Sequence, residues 1–297
     1  MENKVRIQKV LSDQGVLSRR RAEQFIKEGR ITVNGRPAQL GHPIDVRSDI
    51  VAIDGERVYF TKKKKNYYIM LHKPRGYVTT MSDDRGRRCV ADLVADLPVH
   101  VYPVGRLDKD SEGLLLMTND GGFANTLMHP GNRIGKTYRV TIRPDITEQQ
   151  LVKLSTGVKL DDGYVTQPAQ VHVVEKAEGR VVLLMTIYEG KNRQIRRMCE
   201  ALGLEVARLK RTNIGPVKLG MLQPGEYREL TPAELSAIRG YISKASNRRV
   251  NEEGEKAAAE RREQEKSRRT ASRPAKPAAR TEKKAAAPAG RKPLGRR

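Results

Sequence analysis

Three segments of this 297-residue chain carry side chains whose types and spacing suit chemistry. The first is Gly105-Arg106-Leu107-Asp108-Lys109-Asp110-Ser111-Glu112-Gly113, which leads into Leu114-Leu115-Leu116-Met117-Thr118. A continuous apolar run reads as a buried strand, and reacting groups concentrate on loops that such strands hold in place. Asp108, Asp110 and Glu112 are therefore candidate acids. Solvated turn residues are the competing reading, and composition does not choose among the three.

The second segment is Lys136-Thr137-Tyr138-Arg139-Val140-Thr141. In a strand, alternation puts Lys136, Tyr138 and Val140 on one face and Thr137, Arg139 and Thr141 on the other. On the residues alone Tyr138 reads as core filling with its hydroxyl hydrogen-bonded; in an RNA enzyme such a ring can also stack on an unstacked base. The third is Glu189-Gly190-Lys191-Asn192-Arg193-Gln194-Ile195-Arg196-Arg197-Met198-Cys199-Glu200. Ile195, Met198, Cys199 and Leu202 form an apolar helical stripe. At about 100° per residue, Arg196 falls on the edge of that stripe, while Arg193 and Arg197 point away. A partly buried guanidinium needs a strong acceptor, and an acidic active-site residue would serve. The outward arginines suit phosphates.

The elements that must position these groups are strands and helices without a regular βαβ repeat. Strands are expected at Tyr67–Leu71, Leu114–Thr118, Tyr138–Ile142 and Val181–Tyr188. Helices are expected at Phe123–Met128, Gln149–Leu154, Gln194–Leu202 and Ala233–Tyr241. That mixture predicts an α+β domain with a mainly antiparallel sheet. No GxGxxG or Walker loop is present, which disfavours a dinucleotide or S-adenosylmethionine enzyme. Cys89 and Cys199 sit in no CxxC pair and the five histidines are scattered, so no metal site is expected.

The net charge of +23 calls for a polyanionic partner. No apolar run is long enough to span a bilayer, and the N-terminus has no apolar leader. The expectation is a cytoplasmic protein that binds nucleic acid and not membrane. Part of the charge lies in residues 245–297, with 17 basic and 7 acidic side chains. That stretch has almost no large apolar residue and is expected to be a disordered basic tail.

Residues 1–62 read as a small module. Ile7, Val10 and Leu11 have helical spacing. Ser18 is a good N-cap for a second helix with Ala22, Phe25 and Ile26 inward. Ile31-Thr32-Val33 followed by Asn34-Gly35 signals a hairpin. Arg19, Arg20, Arg21, Lys27 and Arg30 cluster around the second helix. Positive charge in a first turn opposes the helix dipole, so phosphate binding explains the cluster better than stability does.

This module resembles an S4 RNA-binding domain, through Val10–Gly15, Ser18–Glu23 and Gly29–Gly35. The remainder, residues 63–244, resembles the pseudouridine synthase family, in its RsuA-type branch. The matching residues are Leu71-His72-Lys73-Pro74-Arg75-Gly76, Gly105–Leu114, Lys136-Thr137-Tyr138 and Glu189–Met198. His72 stands where the family often has Asn. The resemblance implies isomerisation of a uridine in RNA to pseudouridine, with no cofactor and no metal. It implies Asp108 as the nucleophile, Tyr138 packed on the target base, and Arg196 paired with the aspartate. RNA contacts are expected from the basic module and from Arg106, Lys136, Lys191, Arg193 and Arg197. The Asn192–Glu200 stretch and the tail are most similar to branch members acting on 23S ribosomal RNA of the large subunit. A 16S or transfer RNA substrate is the alternative, as is a non-catalytic S4-domain ribosome-assembly factor. A monomer is expected.

Overall fold

A computed structural model describes residues 4–60, 65–245 and 247. The expected tail lies outside the described residues, apart from 245 and 247. The chain begins with β1 (Val5–Arg6), α1 (Ile7–Asp13) and α2 (Arg19–Lys27). Ser18 caps α2, its hydroxyl accepting from the Arg21 N–H. β2 (Ile31–Val33) and β3 (Arg36–Pro37) pair across Asn34-Gly35. Both turn residues have positive φ, 50° and 77°, as the two-residue hairpin requires. β4 (Pro43–Ile44) pairs with β1, and β5 (Val51–Ile53) with β2 and β6 (Glu56–Val58). Ile7, Leu11, Ala22, Ile31, Ile44 and Val51 are fully buried and give this module its own core.

The rest is built on a sheet of nine strands among the described residues. In chain order these are β7 (Tyr68–Lys73), β8 (Tyr102–Val104), β9 (Glu112–Thr118), β10 (Lys136–Arg143), β11 (Gln170–Ala177), β12 (Arg180–Ile187), β13 (Glu205–Ile214), β14 (Val217–Lys218) and β15 (Tyr227–Glu229). The order across the sheet is β11-β12-β10-β13-β9-β7-β15, with β14 flanking β13 and β8 flanking β9. All pairings are antiparallel except β13 with β9. This is the expected α+β class with a mixed, mainly antiparallel sheet.

β7 and β9 are buried along their whole length, which explains their unbroken apolar sequences. α3 (Gly121–Met128) and a final helix, α6 (232–245), cover one face of these strands, packing Phe123, Leu127, Ile238 and Ile242 on Tyr68, Met70, Leu114 and Leu116. Tyr68 and Phe123 meet edge to face at 5.0 Å, a geometry that stabilises by roughly 0.5–1.5 kcal/mol beyond burial. α6 runs past the expected Tyr241 because Ile242 continues the stripe begun by Ile238. α4 (Glu148–Thr156) and α5 (Gln194–Glu200) cover the opposite face at the β10–β13 end, with Leu154, Ile195, Met198 and Cys199 on Tyr138, Val140 and Leu183.

The two halves of the sheet are joined at β13–β9 by only two register pairs, Lys210 with Glu112 and Arg211 with Gly113. The backbones approach so closely that a Cβ on Gly113 would lie 2.2 Å from the Arg211 carbonyl oxygen, and Gly113 has φ +109°. Only glycine fits there. The loop 105–111 hangs from this junction.

Candidate active site

Asp108 sits in the tight turn that closes the β8–β9 connection, where the Ser111 N–H donates to its carbonyl at 3.1 Å. Three further ties fix the loop. The Thr79 hydroxyl donates to the Leu107 carbonyl at 2.6 Å and accepts from the Leu107 N–H at 3.2 Å. The Gly76 N–H donates to the Lys109 carbonyl at 2.8 Å. Below them lies Lys73, the last residue of β7, with no solvent exposure. Its Nζ donates to the carbonyls of Asp108 at 3.0 Å, Ser111 at 2.8 Å and Pro74 at 3.1 Å. Three donors meet three acceptors, with no carboxylate within ion-pair distance among the described residues. Burial pushes the Lys73 ammonium down to about 8, against the pull of Asp108 and Asp110.

The three candidate acids now differ physically. Glu112 is buried in β9 and accepts from Arg208. Asp110 is exposed. Asp108 is half-buried and lines a cavity with Tyr138, against an apolar wall of Leu107, Ile187 and Leu209. Arg106, Lys191 and Arg193 stand around the same cavity. Tyr138, on β10, is 9 % exposed and packs within the core on that face. A half-buried carboxylate beside a flat apolar wall and a ring can hold a planar base over a nucleophile.

The arginine arrangement differs from expectation. The guanidinium nearest the Asp108 carboxylate belongs to Arg193, Nη1 to Oδ2 3.8 Å. Arg193 is not on the helical wheel at all. It is the N-cap of α5 in a left-handed conformation, φ 47°, so its side chain leaves in a direction that 100° spacing does not describe. Arg196 is partly buried as expected, but its guanidinium is spent on backbone, donating to Val206 O at 2.9 Å and Asp110 O at 3.3 Å. Burial and the neighbouring Arg193 push Arg196 down, whereas Asp108 and Asp110 push it up. It supports the loop from behind and contributes field rather than a direct ion pair.

The turn into α5 is itself braced, and sequence reasoning missed the brace. Glu189 accepts from the Tyr164 hydroxyl at 2.6 Å, the Gln194 amide at 2.6 Å and the Gln167 N–H at 3.0 Å. Gln194 is buried and accepts from the Lys191 N–H. Lys191 lies over the Tyr164 ring, 4.4 Å from its centre. These bonds hold Arg193 in its unusual backbone state. Lys73 was also missed as a functional group. Its signal is a cation ending an otherwise apolar strand.

Of the expected RNA-binding residues, Arg20 and Lys27 are exposed on α2, and Arg19 is half-exposed at 4.0 Å from Asp13. Arg21 reaches Gln24 and lies over the Phe25 ring. Arg30 departs from expectation. It is held by Asp54 through two hydrogen bonds, at 2.7 and 2.6 Å, and stacks on Phe25 at 3.6 Å. Arg197 also departs. Asp161 and Asp162 both accept from it, because the 157–166 turn folds over α5. Lys136 is half-buried beside Arg211, and burial pushes it down to about 8. Lys136 opens β10 and Arg211 is buried within β13.

A family model described as RNA pseudouridylate synthase matches residues 67–201, and one for the S4 domain matches residues 5–51. The chain is 42 % identical over 245 residues to ribosomal large subunit pseudouridine synthase B of Bacillus subtilis, covering 82 % of this chain and 98 % of that one. It is 38 % identical over 249 residues to the dual-specificity RNA pseudouridine synthase RluF of Escherichia coli, covering 83 % and 82 %. A crystal structure of a pseudouridylate synthase superposes with a TM-score of 0.58 at 29 % identity, covering 78 % of this chain and 99 % of that one.

Proposed function

The chain belongs to the RNA pseudouridylate synthase family, and on that premise we propose that it converts a uridine of 23S ribosomal RNA to pseudouridine with Asp108 as nucleophile. The observation that carries the residue assignment is the placement of Asp108. It is the one candidate acid in the cavity that Tyr138 and the apolar wall line. The large-subunit substrate is supported by the name of the Bacillus relative. Domain limits of 1–62 and 63–244, a cytoplasmic site of action and a monomeric state belong to the same proposal. Among the described residues no helix is long and apolar enough to cross a membrane.

In the reaction the target uridine leaves its stack and enters the cavity. Unstacking costs a few kcal/mol, offset by packing of the base against Tyr138 and by phosphate contacts at the rim, where Arg106 and Lys191 stand. The C1′–N1 bond breaks, the uracil turns and a C1′–C5 bond forms. C5 loses its proton and N1 ends protonated, so atoms and charge balance. The Arg193 guanidinium stands 3.8 Å from the attacking Asp108 carboxylate. Lys73 holds the Asp108 carbonyl and Thr79 the backbone of the preceding Leu107, so that the carboxylate does not follow the moving base. A non-catalytic assembly factor would have no use for this cavity.

The departing C5 proton supplies the assay. With 23S ribosomal RNA tritiated at uridine C5, wild-type protein releases tritium to water. The Asp108→Asn variant is expected to release none while binding the RNA as wild type does. Retained release in that variant would overturn the assignment.

A further inference from the structure

We propose that the open face of the β10–β13 half-sheet, opposite the Asp108 cavity, is a second RNA-docking surface that grips phosphates of the substrate beyond the target stem. The proposal rests on the chain acting on RNA. Tyr138, Val140 and Ile142 of β10 point into the core under α4 and α5. The alternate residues, Arg139, Thr141 and Arg143, point the other way and remain open or half-open to solvent. They line a groove with Arg180 of β12 and with Arg208 and Lys210 of β13.

The charge arrangement opposes stability. Arg139 sits directly across from Lys210 in the β10–β13 register, and the next outward residue, Thr141, sits across from Arg208. Like charges facing each other across strands destabilise a sheet. Glu175 accepts from Arg139 and Arg180, and Glu112 from Arg208. Two carboxylates thus serve three arginines. Arg143 and Lys210 have no carboxylate partner among the described residues. Arg208 is tied to the buried Glu112, but Arg139 and Arg180 share one exposed carboxylate, unlike Arg30 with its own doubly bonded Asp54. Shared exposed pairs are weak and exchange readily for a phosphate oxygen. They also hold the guanidinium groups extended over the groove.

Charge complementarity selects the occupant. Residues 245–297 have a large basic excess, so this chain's own tail is repelled. A second copy would bring a matching positive face. Val182 is the one apolar side chain lining the groove, which leaves little for an apolar partner. A polyanion remains, and the RNA already held at the cavity is the one this protein handles. β11 is an edge strand of this half-sheet among the described residues, and on this proposal an RNA that occupies both faces passes round it and extends beyond the target stem.

The test is a triple variant, Arg139→Gln, Arg143→Gln and Lys210→Gln, in the full chain. Binding is measured by filter retention over a range of salt, with a domain-sized 23S ribosomal RNA fragment and with the isolated target stem-loop. On the long RNA the variant is expected to bind about tenfold or more weakly, with a salt slope smaller by roughly three. On the stem-loop, affinity and tritium release are expected to match wild type. The urea midpoint is expected to hold or rise, since facing cations are removed. An unchanged slope on the long RNA would overturn the proposal, and so would an equal loss on the stem-loop. Because binding is read apart from turnover, absence of wild-type tritium release would sink the enzymatic reading without deciding this one.

Discussion

Replacing Lys73 by methionine keeps the aliphatic stem and removes the ammonium that the Asp108 loop rests on. Two opposing terms set the outcome. The carbonyls of Pro74, Asp108 and Ser111 each lose a donor at 2.8–3.1 Å. A buried acceptor left bare costs about 1–3 kcal/mol, although the Asp108 carbonyl keeps the Ser111 N–H. Against this, wild type bears the penalty of a buried charge. Burial takes Lys73 from 10.5 to about 8, and at about 1.4 kcal/mol per pH unit that is roughly 3 kcal/mol. At pH 7 the terms largely cancel, so the variant should unfold at a similar or modestly lower urea concentration. The pH dependence does not cancel. Between pH 8 and 10.5 the unfolded chain binds the Lys73 proton and the folded chain does not, so wild-type stability rises with pH. The variant lacks that rise. Its deficit should widen by roughly 3 kcal/mol between pH 7 and 10.5. Lys136, pushed down to about 8 as well, titrates in both proteins and subtracts out. Turnover should fall by about 10²-fold with little change in KM, since the loop shifts while no RNA contact is lost. Urea unfolding at the two pH values and saturating tritium release measure both effects. A deficit independent of pH, or wild-type turnover, would show that Lys73 is an ordinary buried lysine and not the anchor of the loop.

Gly113→Ala places a Cβ 2.2 Å from the Arg211 carbonyl oxygen at φ +109°, with backbone on both sides and no rotamer to relieve it. The expected loss is at least about 3 kcal/mol in urea unfolding, together with loss of turnover; a variant within about 1 kcal/mol of wild type would show that the junction can open freely. In the N-terminal module, Arg20→Gln should lower the salt slope of RNA binding by about 0.9. Arg30→Gln should leave the slope alone and lower stability instead, because its guanidinium is occupied by Asp54 and Phe25. Equal slopes for the two variants would contradict that distinction.

The sequence was legible where one physical signal dominated. β7 and β9 announced themselves by unbroken apolar runs, and α2 by Ser18 and its inward Ala22, Phe25 and Ile26. β13 did not. Its Glu205, Arg208, Lys210 and Arg211 break any simple alternation, and bulges near Tyr138 and Ile142 shift its register with β10. A strand that central is stabilised by its neighbours, which no local pattern records. The acid could be narrowed to three by composition and to one by resemblance, and the cavity shows how that one differs. The partner arginine was misjudged because wheel geometry begins only at Gln194. Long-range ties such as Lys73 to Ser111 and Tyr164 to Glu189 join segments 38 and 25 residues apart, and no window of sequence contains them.

The edge pairing of β7 with β15 has a consequence for the order of synthesis. Leu71 pairs with Tyr227, and the His72 N–H donates to Glu226 O, so a strand made early waits for one made more than a hundred residues later. Ile238 and Ile242 then close the core over Tyr68 and Met70. Pairings this distant are slow to form. The strand that carries Lys73 is therefore completed only when nearly the whole catalytic region has left the ribosome that makes it. A growing chain can present its basic N-terminal module to RNA well before it owns a working site.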